Sequence, residues 1–442
     1  MKTNQPITRR EFLKLTATTA VSAVLSACSS GMASPTARAT TPVQLVYRDW
    51  RTDWFAPMAQ QMLDEFHVTH PNIRVYYNLD PENNEFAEKS LEDLQAGTAP
   101  DVFQGCCSFL PIWAQKDYLL DLRPYVQADL DQATIDDWDP VQYNSFFTRD
   151  GRQYALPKYH GALALYYNKD LFDQAGMDYP SDSWNHEDYL AAMKQLTRQG
   201  VWGSMVDIAW ERLQVHVNAW GGHFVDPADP TKSRMADSAA LQAFEWIRAR
   251  MWEDKVMATA LDVQNKGTQE AFVAGELAMI EDGSWALKAI LTNSDFRVGL
   301  AVFPAGPVRR ATLAATDGFG IYAGTKHPEA AWELLKFLIS KEYGRAMAKA
   351  QFLQPARASL VDEWIQFIRT EFPDKTRDLN IAAFADGQRK GYSVIGEEFA
   401  NQADAQRLAN AAWQQIFTLG QSPVEIMKDV SRDIEKAQQG FG

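Results

Sequence analysis

From Val43 onward the sequence alternates between two hydrophobic periods, and this alternation restricts the fold more than any other feature. VQLVYRD (Val43–Asp49) has strand composition, with apolar residues at every second position. FAPMAQQMLDEFHVTH then places Phe55, Met58, Met62 and Phe66 on one helical face. IRVYYN (Ile73–Asn78) reads as a second strand, EFAEKSLEDLQAG as a helix closed by Gly97, and DVF after Pro100 as a short third strand. The pattern resumes with a strand near Ala162–Tyr167, a helix near Asn185–Gln199, a strand near Val201–Asp207 and a helix near Leu213–Trp220. After about Pro328 the chain reads as mostly helical. Strands alternating with helices of this length bury a parallel or mixed sheet between helical layers, so an α/β fold is expected.

The segment before Val43 is expected to lie outside that fold, against the alternative of a core helix that carries the patterns of an export signal. A basic start runs to Lys14, and a small-residue apolar run follows from Leu15 to Ala27. The run is about half the length of a membrane-spanning helix and fits the h-region of an export signal. TRREFLK (Thr8–Lys14) resembles a twin-arginine export signal. LSAC (Leu25–Cys28) resembles a bacterial lipobox, whose cysteine is lipidated and becomes the new N-terminus. Residues 1–27 are therefore expected to be a twin-arginine-type lipoprotein signal. Residues 28–42 are expected to be a lipidated Cys28 and a flexible tether. SSGMASPTARATTP has no aromatic residue and no aliphatic one larger than Ala apart from Met32, so it cannot pack a core. Several acyl chains on one cysteine would hold the protein at a membrane. The expected location is extracytoplasmic, tethered to the outer face of the cytoplasmic membrane.

Composition narrows the partners. The 442 residues carry a formal charge of −14, and basic clusters are absent after the signal, so a nucleic-acid partner is not expected. Fourteen tryptophans are more informative, because indole is over-represented at recognition surfaces.

Four collinear segments carry a resemblance. They are GTAPDVF (Gly97–Phe103), YALPKYHGALALYYNKDLFDQAG (Tyr154–Gly176), EAFVAGELAMIEDGSWAL (Glu270–Leu287) and DGFGIYAGTKHPEAAWELLKFLISKE (Asp317–Glu342). From about Val43 to its end the chain resembles the extracellular solute-binding proteins of carbohydrate-type ABC importers, the broad family that includes maltose-binding protein. The resemblance implies a two-lobe periplasmic-binding-protein-like fold of type II, with a ligand cleft between lobes joined by crossover strands. It implies a first lobe of residues 43–157 plus 312–352 and a second of 158–311 plus 353–442. It also implies an ABC permease as partner, a carbohydrate as ligand and a monomeric state. The loop aromatics lean toward a di- or oligosaccharide.

Sugars present apolar C–H faces and a rim of hydroxyls, which favour aromatic planes and charged or amide groups. Trp50, Asp53 and Trp54 follow the first strand and are candidate ligand contacts, although a tryptophan there also suits packing on the next helix. Trp285 lies in the family segment DGSWAL, where a tryptophan often stacks on a sugar ring. Tyr159 and His160 mark the first crossover, Asp317, Gly318 and Phe319 the second, and Arg357 the third. Trp210 follows a strand and is weighed against a core role.

Cys106, Cys107 and Ser108 follow the third strand at the cleft edge. With Cys28 taken by lipid, the adjacent cysteines have only each other in an oxidising compartment. Consecutive Cα atoms are about 3.8 Å apart, whereas ordinary disulfides span about 4.4–6.8 Å. A vicinal disulfide would therefore be strained, as functional sites often are. The competing reading is two buried thiols acting as small hydrophobes. Adjacent cysteines lack the spacing of a metal site, so neither a metal nor another cofactor is expected.

No His-Glu-x-x-His, Gly-x-Ser-x-Gly or phosphate loop is present, and no carboxylate pair sits in a recognisable catalytic setting. Catalytic residues are not expected. The alternatives kept open are a surface-tethered ligand sensor and a binder of a non-carbohydrate solute such as glycerol phosphate.

Overall fold

The computed structural model describes residues 41–49, 52–78, 86–106, 109–315 and 317–441, with only the helical backbone course for residues 52–54 and 87. The strands are β1 (Val43–Arg48), β2 (Ile73–Asn78), β3 (Val102–Gly105), β4 (Leu156–Pro157), β5 (Leu163–Asn168) and β6 (Trp202–Met205). They continue with β7 (Met257–Ala258), β8 (Leu277–Gly283), β9 (Val298–Ala301), β10 (Thr312–Leu313), β11 (Gly318–Ile321) and β12 (Ser393–Val394).

Two five-stranded sheets result, each the floor of one lobe. The first has the order β2-β1-β3-β11-β4 and the second β7-β6-β8-β5-β9, while β10 and β12 form a separate ladder. Both sheets are mixed. β1 runs parallel to β2 and β3, but β11 is antiparallel to β3 and β4. In the second sheet β6 runs parallel to β7 and β8, whereas β5 is antiparallel to β8 and β9. Residues from Pro42 onward form one compact unit that contains both lobes.

The expected periods produce these elements. All six residues of β5 are buried. Leu163, Leu165 and Tyr167 face one apolar core, and Ala164 and Tyr166 face another. That is the two-residue period of a strand covered on both sides. The family segment after β5 is explained by its caps. The Asn168 side chain accepts from the backbone N–H groups of Asp170 and Leu171 and starts the helix Lys169–Ala175. Gly176 ends it at φ +65°, where a Cβ would be strained. Asn185 and Asp188 form a reciprocal capping box at the start of His186–Leu196.

The helix expected from Phe55, Met62 and Phe66 runs Thr52–Thr69 and buries those three side chains in the first lobe. The C-terminal third is helical at Pro328–Leu338, Lys341–Gln351, Val361–Glu371, Gln402–Trp413 and Met427–Ala437. β12 and the loop after it interrupt this run, which the sequence reading does not anticipate. Among the described residues no helix is long and apolar enough to cross a membrane.

Three chain segments lie side by side between the sheets. Lys158 N–H donates to the Asp317 carbonyl at 2.9 Å, and His160 N–H to the Gln354 carbonyl at 2.9 Å. Ala315 N–H donates to the Gly161 carbonyl at 3.0 Å. Gln142 Nε2 ties two of the segments together, donating to the carbonyls of Tyr159 at 2.8 Å and Ala315 at 2.6 Å.

Candidate ligand-binding cleft

The floor of the cleft is built on these three connections. Lys158 Nζ lies 2.6 Å from Asp49 Oδ1, just past the end of β1, and Tyr47 Oη donates to Asp49 Oδ2 at 2.7 Å. Gln104 Nε2 on β3 donates to Asp317 Oδ1 at 2.9 Å. Burial pushes the Asp317 carboxyl up to about 7, against the pull of the Lys158 charge and a hydrogen bond from Tyr159. His160 Nε2 lies 2.8 Å from Asp139 Oδ2, both side chains buried. Burial alone would raise Asp139, but the His160 contact holds it below the usual carboxylate range.

The second lobe supplies a wall around Trp285, at the start of the helix Ser284–Asn293. The ring is half-buried and packs against the apolar cores of both lobes. It lies so close to the chain that a Cβ on Gly283 would fall 2.2 Å from it, and one on Gly161 would fall 3.0 Å away. The Arg212 guanidinium carbon sits 5.2 Å from the ring centroid. Arg212 Nη2 also pairs with Asp282 Oδ1 at 2.9 Å, and Nη1 donates to the Glu281 carbonyl at 3.2 Å. A cation–aromatic stack backed by a buried carboxylate thus lies beside the Gly161 connection.

Further carboxyls gather beside it. Burial raises Glu211 against the nearby Arg212 charge, and raises Asp207 likewise. Burial, with the Glu211 charge adding to it, holds Glu398 well above the usual range. Glu398 Oε2 is shut off from solvent with no hydrogen-bond partner among the described residues. Its neighbour Glu397 is fully engaged. It accepts from His223 Nδ1 at 2.8 Å, Asn218 Nδ2 at 2.9 Å and the Phe224 and Val225 N–H groups at 2.5 and 3.1 Å. This carboxylate clamps the loop after β12 to the loop Gly221–Val225. A cavity of about 1140 Å³ opens between the lobes at this point. Ile112, Arg149 and Tyr154 line it from one side, and Asn218, Glu398 and Phe399 from the other.

The structure gathers Tyr159, Asp317 and Trp285 around the connections, with His160 buried beneath. Phe319 lies in the first-lobe core, 5.5 Å from Lys158 Nζ, and Gly318 packs against Phe146. Trp210 is buried among Phe224, Phe399 and Trp413, and its Nε1 donates to the Glu397 carbonyl at 2.9 Å. Arg357 stacks at 3.8 Å over Trp138 and donates to the carbonyls of Thr134 and Ile339. Cys106 is buried at the end of β3. Trp50, Cys107, Ser108 and Cys28 lie outside the described residues, as do the side chains of Asp53 and Trp54. The vicinal disulfide therefore falls outside them too. Sequence reasoning misses Arg212, Glu211, Glu397 and Glu398. The glycine-punctuated GYSVIGEEF (Gly391–Phe399), inside an otherwise helical pattern, is the signal that would have pointed to the last two.

Residues 50–345 match the family model of the bacterial extracellular solute-binding proteins. The chain belongs to that family. A binding protein of Brucella abortus (strain 2308) is 24% identical to it over 306 residues, covering 67% of this chain and 71% of its own. The diacetylchitobiose binding protein DasA of Streptomyces coelicolor is 24% identical over 295 residues, covering 63% of this chain and 65% of its own. The fold is that of an ABC substrate-binding protein of Listeria monocytogenes solved in complex with cycloalternan. The TM-score is 0.78 at 22% identity, over 90% of this solute-binding protein and 99% of the other chain.

Proposed function

We propose that this solute-binding protein captures a di- or oligosaccharide between its lobes by hinge closure and hands it to the transmembrane subunits of an ABC permease. The observation that carries the reading is the cavity of about 1140 Å³ lined from both lobes, above the range of about 300–1,000 Å³ that encloses a drug-sized ligand. A ligand held there contacts both lobes only when they approach, so it binds the closed state better and shifts the population toward it. The hydrogen-bonded connections at Lys158–Gly161, Ala315–Asp317 and Gln354 are the hinge in this reading, with lobe boundaries near residues 158, 312 and 353.

Glu398 on the cavity wall offers a carboxyl and Asn218 an amide to sugar hydroxyls, and Trp285, half-buried beside the lobe connections, is the proposed aromatic plane. Trp50, Asp53, Trp54, Cys106, Cys107 and Ser108 remain proposed first-lobe ligand contacts on the strength of the sequence. The names of relatives that bind diacetylchitobiose and cycloalternan support a carbohydrate ligand. No bond is made or broken in the ligand. Export through the twin-arginine route, lipidation at Cys28 and a monomeric state complete the proposal.

The test is a thermal-shift screen of the purified protein against mono-, di- and oligosaccharides and glycerol phosphates. Ligand at about 100 times its dissociation constant adds about 2.7 kcal/mol to the native state. A raised melting temperature with one sugar class supports the reading. A shift with glycerol phosphates alone, or none in protein shown to be folded, overturns it.

A further inference from the structure

We propose that Phe441 is a ligand-contact residue that forms an outer aromatic subsite of the inter-lobe cavity and selects for ligands longer than the shortest sugar the cleft accepts. The inference rests on the carbohydrate reading above.

Five large apolar side chains are exposed among the described residues: Val68, Tyr76, Leu261, Val308 and Phe441. Of these only Phe441, 58% exposed, lines the cavity. An isolated exposed apolar side chain is ordinary; one that lines a ligand-sized cavity is placed to meet ligand. Phe441 is fixed. Gln438, 1% exposed, accepts from the Asn401 N–H at 2.6 Å and donates to the carbonyls of Asn401 at 3.4 Å and Ile434 at 3.1 Å. Asn401 Nδ2 donates back to the Ala437 carbonyl at 3.2 Å. Asn401 itself lines the cavity and caps the helix Gln402–Trp413, so the tail is tied to the cavity wall. Gly440 then reverses the chain at φ +89°, a conformation that glycine adopts without strain. The Phe441 N–H donates to the Gln438 carbonyl at 3.0 Å, which completes the turn.

The first lobe answers with Phe147, a half-buried ring that lines the same cavity and meets Tyr143 edge-on at 5.7 Å between centroids. Phe147 from the first lobe and Phe441 from the second thus line the same cavity, beside the more deeply buried Tyr154 and Phe399. Aromatic faces gain by covering the C–H faces of sugars, and two from opposite lobes do so most fully when the lobes close. The cavity is too large for a single small sugar to fill.

The experiment is calorimetric titration of wild type, Phe441→Ala and Phe441→Trp with one homologous oligosaccharide series, starting from the shortest member that binds. Phe441→Ala is expected to lose about tenfold in affinity for the longer members and to match wild type for the shortest, as truncating an interface aromatic does. Phe441→Trp is expected to keep the wild-type length preference, and both variants to keep the melting temperature of the free protein. Equal affinities of Phe441→Ala and wild type at every length overturn the inference. So does an equal loss at every length, which would mark a structural role. Wild type that binds no sugar overturns the carbohydrate reading and the inference with it, an outcome told apart by the wild-type titration alone.

Discussion

Lys158 Nζ and Asp49 Oδ1 are 2.6 Å apart, in side chains that are 1% and 0% exposed. The pair fastens the first connection between the lobes to the end of β1. Two desolvated charges of this kind depend on each other more than they add to stability.

Lys158→Met leaves Asp49 buried and uncompensated, and is expected to destabilise the protein by about 3–5 kcal/mol. Adding Asp49→Asn to it removes the stranded charge and recovers much of the loss. Urea unfolding of the two variants checks this. Equal stability of Lys158→Met and wild type would sink the account.

Asp317 has a folded-state value of about 7 against an ordinary 3.8, because burial disfavours its charged form. The folded protein therefore holds a proton that the unfolded chain releases at lower pH. The resulting stability is fully present below about pH 4 and is lost as pH rises through about 7, amounting to roughly 4 kcal/mol at most. Asp317→Asn is expected to flatten this slope. Melting temperatures of both proteins between pH 4 and 8 test it, and identical slopes would remove Asp317 as their source.

Trp285→Ala is expected to weaken sugar binding by tenfold or more, as loss of a central aromatic anchor typically does. The ring also packs against both lobes, so some loss of stability accompanies it. Titration at a temperature where the variant is folded separates the two effects. Unchanged affinity would exclude Trp285 from the site.

Cys28→Ser is expected to move the protein from the membrane fraction to the soluble extracytoplasmic fraction, because the acyl chains provide the attachment. Fractionation of cells that express both forms decides this. A membrane-bound Cys28→Ser variant would end the lipoprotein proposal.

For Cys106 and Cys107, the vicinal-disulfide proposal predicts no alkylation without reductant and labelling at both after reduction. Intact mass reads this directly. Two labels on the unreduced, unfolded chain would show two thiols instead.

The sequence by itself determined the α/β class, the position of the first strands and helices, and the family. These depend on short-range information: a two-residue period in Val43–Arg48, a helical period through Phe55, Met62 and Phe66, and a helix-closing glycine at Gly97. The three connections were legible through motif resemblance, so Tyr159, Asp317 and Trp285 could be named before their geometry was known. Only the tertiary structure decided which polar groups meet. Asp49 is separated from Lys158 by 109 positions, Gln104 from Asp317 by 213, and Asn218 from Glu397 by 179. Periodicity within a few turns of chain carries no record of such pairs. Burial was equally hidden. Arg357 reads as a candidate ligand contact at the third crossover, yet in the fold its guanidinium covers Trp138 and reaches the carbonyl of Ile339. A side chain's partners follow from how the sheets are laid together, and the packing of distant segments settles that.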